Sequence, residues 1–278
     1  MVEAGIAALG SPLPSARPVL VRRLRELMAA GAKRDPGGLM RAALLGALDD
    51  LLTGEDLDPA QAAAATFEPS PGDAAAPAVL RAAGLVALDR LDPRLAAAQA
   101  VLALAAASES RKTSPMTGEP AATAARVLAA QDRWDALLLF VLQDTSDAPA
   151  EVVAEAIRGI AGIPAEVVPE VVGALLLDRR EVVQLGLCDL VVALPEGPAE
   201  FSARSVIPAL RSVEVYAYLL TAIVASRRHD LFAAVAVSLE SERDVHRLRA
   251  ARAALELATH EASATALIRR IDSLLPRA

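Results

Sequence analysis

The sequence predicts an all-α protein built from an array of helical hairpins. Hydrophobic residues make up 54% of the 278 residues, but aromatic residues only 3%. The core must therefore consist mainly of Ala, Leu and Val, and alanine-rich segments favour closely packed helices. Pairs of adjacent valines, which elsewhere favour strands, lie here in segments with the apolar spacing of a helix. A third observation is an internal repeat in the N-terminal half, described below.

The clearest hairpin spans residues 163–195. Its sequence predicts two apolar helices, Ala165–Leu177 and Glu181–Leu194, joined by the polar turn Asp178–Arg180. Pro169 is expected inside the first of these helices. A single hairpin of this kind leaves apolar faces exposed, and only similar neighbouring hairpins can cover them. We therefore expect a stack of hairpins along the chain.

Two stretches of the N-terminal half repeat each other. Residues 35–51 realign with residues 77–91 at a spacing of forty residues. The matched polar pairs are Arg41 with Arg81 and Asp49 with Asp89. The repeat predicts that both stretches form the second helix of a hairpin, and first helices are expected near Pro18–Ala30 and Pro59–Phe67.

The turns of these hairpins have a recognisable pattern. Asp35 precedes Arg41 by six residues, and Asp178 precedes Gln184 by the same spacing. An Asp in the turn, an Arg or a substitute six residues later, and small residues in the second helix resemble the HEAT repeat family. The resemblance is sharpest in residues 17–52, 57–91 and 163–195. It implies a single right-handed α-solenoid of about seven HEAT-like hairpins over residues 1–278, a fold that serves many unrelated functions.

Composition narrows the functional class and the location. The net charge of −7 argues against a nucleic-acid surface along the whole chain. The single cysteine, Cys188, cannot form an intramolecular disulfide and favours a reducing compartment. We identify no secretory signal and no apolar run long enough to span a bilayer. These features favour a cytoplasmic protein, and the excess of Arg over Lys is typical of a GC-rich bacterial genome.

No catalytic signature is present. The sequence has no glycine-rich nucleotide-binding loop, no nucleophile elbow and no CxxC pair. His229, His246 and His260 are too far apart in sequence to form a recognisable metal-binding motif. We therefore expect no cofactor and no metal, and a scaffold or adaptor that binds a protein or peptide.

The N-terminal charge distribution leaves an alternative open. Residues 11–45 contain seven basic side chains, whereas residues 46–75 contain seven acidic and no basic ones. The basic residues are Arg17, Arg22, Arg23, Arg25, Lys33, Arg34 and Arg41. The two blocks could pair with each other within the fold. Alternatively, the basic patch could serve a HEAT-like nucleic-acid-binding protein or DNA glycosylase, although the scarcity of aromatic residues disfavours it.

The second helix of each hairpin is expected to line the inner face of the array, where a partner would bind. Arg41 and Asp49 are eight residues apart, about two helical turns, and therefore share one helix face. The predicted partner-binding residues are Arg41, Asp49, Arg81, Asp89, Glu151, Glu155, Arg158, Gln184 and Trp134. For Arg41 itself we favour the structural alternative, a ladder of Asp–Arg hydrogen bonds between neighbouring repeats. Trp134 could equally cap the core, and residues 68–77 and 108–120 are expected to be polar linkers.

Overall fold

The computed structural model describes residues 14–68, 77–109, 114, 117–258 and 262–275. Within these residues all regular structure is helical, with fifteen α-helices, several short 3₁₀ turns and no strand. The prediction of an all-α protein is therefore confirmed. Most of the two predicted linkers, 68–77 and 108–120, lies outside the described residues, as does His260.

The chain forms two compact units, residues 1–159 and residues 160–278. The helices of the first unit are α1 (Arg17–Ala30), α2 (Leu39–Leu48), α3 (Leu57–Ala65), α4 (Ala78–Leu91), α5 (Pro93–Ala105), α6 (Ala121–Ala130), α7 (Trp134–Val141) and α8 (Ala150–Arg158). Those of the second are α9 (Val168–Leu175), α10 (Glu181–Ala193), α11 (Pro198–Ala209), α12 (Val213–Ser226), α13 (His229–Ser241), α14 (Val245–Leu255) and α15 (Ala262–Leu274).

Each unit places alternate helices side by side. In the first unit α2, α4, α6 and α8 contact one another in succession, while α1 contacts α3 and α5 contacts α7. In the second unit the same arrangement joins α10, α12 and α14, and separately α9, α11, α13 and α15. We call α2, α4, α6 and α8 the second-helix layer of the first unit, and α1, α3, α5 and α7 its first-helix layer.

The thin core allows helices to approach one another closely. A Cβ atom built on Gly84 of α4 would lie 2.3 Å from the backbone nitrogen of Ala64 at the end of α3. Such a distance is far inside van der Waals contact, so α4 can pack on the α3 backbone only because residue 84 has no side chain. Ala63 and Ala64 are themselves buried, which brings the two helices together without large intervening side chains.

Both helices of the hairpin in residues 163–195 are shorter than predicted, ending at Leu175 and Ala193. Its first helix, α9, begins at Val168 rather than Ala165, so Pro169 lies in the first helical turn and not in the interior. A first-turn residue donates no intrahelical hydrogen bond, and proline therefore costs nothing there. In α11, by contrast, Pro208 does lie inside the helix, close to its C-terminal end.

We expect the substitution Gly84→Ala to lower the free energy of unfolding by about 2 kcal/mol, because overpacking must push α4 away from α3. Gly46→Ala in α2 is the matched control, since a Cβ atom there has no neighbour within 4 Å. That change should be neutral or stabilise the helix by up to about 1 kcal/mol. Urea denaturation followed by circular dichroism measures both, and equal effects of the two substitutions would contradict the close approach.

Candidate functional site

Arg41 lies at the centre of a buried ion-pair network. The Asp35 carboxylate accepts hydrogen bonds from the backbone N–H groups of Met40 (3.0 Å) and Arg41 (2.9 Å), and from Nε of Arg41 (3.0 Å). The two terminal nitrogens of Arg41 donate to the Glu68 carboxylate, just after α3, at 2.8 and 2.7 Å. Hydrogen bonding to Glu68 raises the pKa of Arg41 above its ordinary value. The side chain therefore joins its own turn to the following hairpin.

This placement corrects the assignment of Arg41 to a partner-binding stripe. Its side chain is only 1% exposed, and its hydrogen bonds are directed into the protein. The alternative, a structural Asp–Arg interaction, describes its surroundings: the Asp35 bond lies within one turn, and the bond to Glu68 provides the link between repeats. A guanidinium group suits this position because its planar donors satisfy two carboxylates at once.

Gln184 occupies the equivalent position in the second unit with fewer interactions. Its amide Nε2 donates to the backbone carbonyl of Asp178 at 3.1 Å, and its side chain is buried. The Asp178 carboxylate instead accepts from the backbone and side chain of Arg180. Gln184 therefore orders its own turn, and the expectation that it contacts a partner is corrected for the same reason as for Arg41.

Asp49 and Asp89 form a ladder between successive helices of the second-helix layer. Nη2 of Arg90, near the end of α4, lies 2.7 Å from Asp49 at the end of α2. In the same way Gln131, just after α6, donates to Asp89 near the end of α4. The partners are 41 and 42 residues apart. Each carboxylate thus pairs with the next hairpin and not with the arginine of its own helix.

A group of charged side chains continues this face on α6 and α8. Arg126 lies 2.8 Å from Glu119 and 3.8 Å from Glu155, and Arg158 lies 3.1 Å from Glu155. Glu151, one turn before Glu155, is exposed. The predicted residues Glu151, Glu155 and Arg158 are therefore brought together, and Arg126 is a member of the group that the sequence did not single out.

Three exposed aliphatic side chains complete the second-helix layer. Leu39 on α2 and Val79 and Val86 on α4 are 53%, 49% and 45% exposed. These residues were not predicted as a site. The forty-residue repeat contains the signal, however, because Leu39 and Val79 occupy equivalent positions two residues before Arg41 and Arg81. We call Leu39, Val79 and Val86 the aliphatic stripe.

Arg81 is itself half-buried, and burial lowers its pKa below the ordinary arginine value. Its Nε lies 3.4 Å from the carbonyl oxygen of Ala64 at the end of α3. Other arginines likewise donate to carbonyl groups at or just beyond the ends of segments that are distant in sequence. They are Arg17 to Leu51, Arg228 to Val192 and Leu194, and Arg247 to Ile207 and Leu210. These four arginines therefore join segments that are distant in sequence.

The aromatic residues Trp134, Tyr216 and Tyr218 differ in their burial and in their position in the fold. Trp134 is half-buried at the start of α7, in the first-helix layer, so it does not share a helix layer with the other predicted residues. Tyr216 is buried beneath the guanidinium of Arg247, whereas Tyr218 is exposed and donates to Asp189.

The basic block is partly neutralised by the acidic one. Arg17 lies 2.6 Å from Asp56, and Arg41 binds Glu68, so two pairs form between the blocks. Arg23 pairs with Glu26 within α1. Arg22 and Arg25 line a shallow groove that also contains Glu26 and Glu55. The local surface therefore carries both signs of charge.

The described part of the chain has neither a metal-binding cluster nor a membrane-spanning helix. No group of three or more His, Cys, Asp or Glu side chains there is arranged to hold a metal ion. None of the helices described above combines the length and the apolar character needed to cross a bilayer. Comparisons with protein-family models, with curated proteins and with solved structures find no match to this chain.

We expect Arg41→Ala to destabilise the protein by about 3 kcal/mol, because it leaves the buried carboxylate of Asp35 and that of Glu68 without their partner. Arg41→Gln, which imitates the residue at position 184, should cost less. Arg22→Ala on the exposed face of α1 is the control and should change the free energy of unfolding by less than about 0.5 kcal/mol. Urea unfolding of the three variants tests the network, and a neutral Arg41→Ala would contradict it.

The thiol of Cys188 should be unreactive in the folded protein. Cys188 is fully buried in α10, and burial raises its pKa to about 12. Because the thiolate is the reactive form, a disulfide reagent such as DTNB at pH 8 should label it only as fast as the protein opens. Labelling should become complete in denaturant. Rapid labelling without denaturant would show that the second unit is open around α10.

Proposed function

We propose that this protein is a non-enzymatic scaffold or adaptor that binds a protein or peptide along the second-helix layer of its first unit. The observation that carries the proposal is the aliphatic stripe of Leu39, Val79 and Val86, which lies on adjacent helices and is about half exposed. Isolated exposed aliphatic residues are common, but equivalent positions on packed neighbouring helices form a continuous surface.

The polar groups around the stripe support a protein ligand. The Asp49–Arg90 pair lies at the ends of α2 and α4, and the group of Arg126, Glu155 and Arg158 lies on α6 and α8. An apolar centre bordered by charged side chains is the usual anatomy of a protein-binding surface. Burial of the aliphatic side chains would supply affinity at about 25 cal/mol per Å², and the charged border would favour one partner over others.

We further propose that the alternating helix layers are those of a right-handed, HEAT-like α-solenoid. Its support is the regular side-by-side contact of alternate helices within each unit and the conserved spacing of Asp35–Arg41 and Asp178–Gln184. A solenoid offers a long surface because each hairpin contributes the same helix face. A cytoplasmic, bacterial setting remains part of this proposal on compositional grounds.

The competing proposal is a nucleic-acid-binding protein or DNA glycosylase that uses the N-terminal basic patch. Arg17, Arg23 and Arg41 are already paired with carboxylates, and Glu26 and Glu55 lie beside Arg22 and Arg25. A nucleic-acid surface would instead leave its cations available to phosphate groups. The arrangement therefore favours the protein-binding proposal.

We expect the double substitution Val79→Arg with Val86→Arg to abolish capture of the natural partner without unfolding the chain. Both positions are exposed, so arginine is tolerated, but it would place charge within an apolar contact. The full chain serves as bait in a lysate, and captured proteins are identified and retested as purified components. Leu177→Arg, at an exposed leucine of the second unit, is the control and should leave capture intact.

Two outcomes would contradict the proposal that a protein binds at the aliphatic stripe. A partner retained by the Val79/Val86 double variant would place binding away from the aliphatic stripe. Binding of duplex DNA in a filter assay, falling steeply with salt and lost on replacing Arg22, Arg23 and Arg25, would favour the nucleic-acid proposal.

A further inference from the structure

The two helices that carry the aliphatic stripe, α2 and α4, run side by side in the same direction. At their N-terminal ends, a Cβ atom built on Gly38 would lie 2.8 Å from Cβ of Leu80. At their C-terminal ends, Nη2 of Arg90 lies 2.7 Å from the carboxylate of Asp49. Because the helices meet at both ends in this order, they are parallel neighbours, and their outward faces form one surface.

The outward faces of α2 and α4 share one spacing of residues, with successive steps of four, three and four. On α2 and the turn after it these residues are Leu39, Ala43, Gly46 and Asp50. Their equivalents forty residues later are Val79, Ala83, Val86 and Arg90. All eight are exposed or partly exposed. At a rise of 1.5 Å per residue, the face extends about 16 Å along the helix axis, from an apolar end to a charged end.

Small residues occupy the middle of this surface. They are Ala43 and Gly46 on α2 and Ala83 on α4, and a Cβ atom built on Gly46 would have no neighbour within 4 Å. A third helix can therefore come close, since the distance between packed helices depends on the side chains at the contact. A helix lying along α2 and α4 also presents aliphatic side chains at i, i+4 and i+7 on one face. An extended segment of the same length would comprise about five residues and direct alternate side chains away from the surface.

The charged end of the surface has an excess of carboxylates. In the described part of the chain Asp49 and Asp50 share one cation, because Arg90 lies 2.7 Å from the first carboxylate and 3.4 Å from the second. Asp89, near the end of α4, accepts a hydrogen bond from the uncharged amide of Gln131. Three carboxylates are thus accompanied by one guanidinium group.

Neighbouring groups leave this excess in place. Arg17, whose Nε donates to the carbonyl of Leu51, lies 2.6 Å from Asp56 and is paired with it. Residues 1–13 and 69–76, outside the described part of the chain, contain no lysine or arginine. The turn after α4 adds one acid and one base, Asp92 and Arg94. Because α2 and α4 both end here, the negative ends of their helix dipoles also favour a positively charged group.

We propose that the ligand of the aliphatic stripe is an amphipathic helix of a partner protein, with aliphatic side chains on one face and lysine or arginine at the end that lies over Asp49 and Asp50. This inference rests on the proposed function, because it names the partner of the same surface. Contact with the stripe supplies most of the affinity, and the carboxylates set which end of the helix lies over them.

The test uses the full chain and fluorescein-labelled synthetic peptides of about 18 residues, which form about five helical turns. One peptide carries leucines spaced i, i+4, i+7 and i+11 and a cluster of lysines at one end. Its matched counterpart has glutamates in place of the lysines. Fluorescence anisotropy at low salt should show that the lysine peptide binds several-fold more tightly, and the difference should diminish as salt rises.

Substitutions at the acidic end test the preference for lysine. The Asp50 side chain is 67% exposed, so Asp50→Lys is tolerated and should remove the preference. Arg90→Ala should increase it, because both carboxylates lose their shared partner. The matched controls are Glu170→Lys and Arg179→Ala, which make the same changes in net charge at exposed positions of the second unit. Both controls should leave the preference unchanged, whereas a general attraction of lysine to a negatively charged chain would respond to them equally and would refute the site.

The Val79→Arg, Val86→Arg double variant separates this inference from the proposed function. It should weaken binding of both peptides more than about tenfold, since arginine would be buried against an apolar face, and Leu177→Arg should not. Thermal unfolding confirms that each variant is folded. Equal affinity for the two peptides, with both lost in the double variant, would overturn the basic end of the helix and leave the proposed function standing.

Two other results would overturn the partner helix itself. If neither peptide binds the wild-type chain, the helix is wrong, although a natural partner lost in the Val79/Val86 double variant would still support the proposed function. If the chain is dimeric by light scattering and becomes monomeric in the double variant, a second copy occupies the stripe. A monomeric wild-type chain that prefers the lysine peptide, and loses the preference on Asp50→Lys, supports the proposal.

Discussion

The constraint on which this structure depends is the supply of hydrogen-bond donors to helix ends. Each α-helix leaves its last carbonyl groups without partners inside the helix, and a chain of many short helices has many such ends. In this protein arginine side chains from neighbouring segments fill several of these positions, as Arg228 does for α10 and Arg247 for α11. The guanidinium group is suited to the task because it carries several donors in one plane and favours the negative end of the helix dipole.

The core of the protein is built mainly from small and aliphatic side chains. With few aromatic residues, the helices are separated mainly by Ala, Leu and Val, and close approach replaces bulk. Gly84 marks the extreme case, where α4 lies directly on the α3 backbone. Polar side chains at the ends of these helices add directional contacts between hairpins to this aliphatic core. Asp49–Arg90 and Asp89–Gln131 are examples, since each fixes one helix relative to the next.

Sequence reasoning recovered what depends on local spacing. The helical class, the central hairpin and the Asp35–Arg41 interaction follow from periodicity and from a separation of six residues. It could not identify the partners of Asp49 and Asp89, because those lie about forty residues away and depend on how hairpins are stacked. It also placed Arg41 and Gln184 on a binding surface. The polar pattern of a helix face predicts that such residues are exposed. Arg41 and Gln184 are buried instead, because hydrogen bonds to a turn satisfy their polar groups.

The difference between Arg41 and Gln184 has a consequence for how the two units respond to stress. Arg41 spans from its own turn to the end of α3, so loss of either hairpin disrupts the other. Gln184 holds only its own turn. In a chain of stacked elements, cooperativity depends on the strength of such nearest-neighbour terms. The first two hairpins are therefore tied together at Arg41. The Gln184 side chain makes no such link, and its hairpin is joined to its neighbours by the Tyr218–Asp189 hydrogen bond and by Arg228 instead, so local opening there must break those contacts.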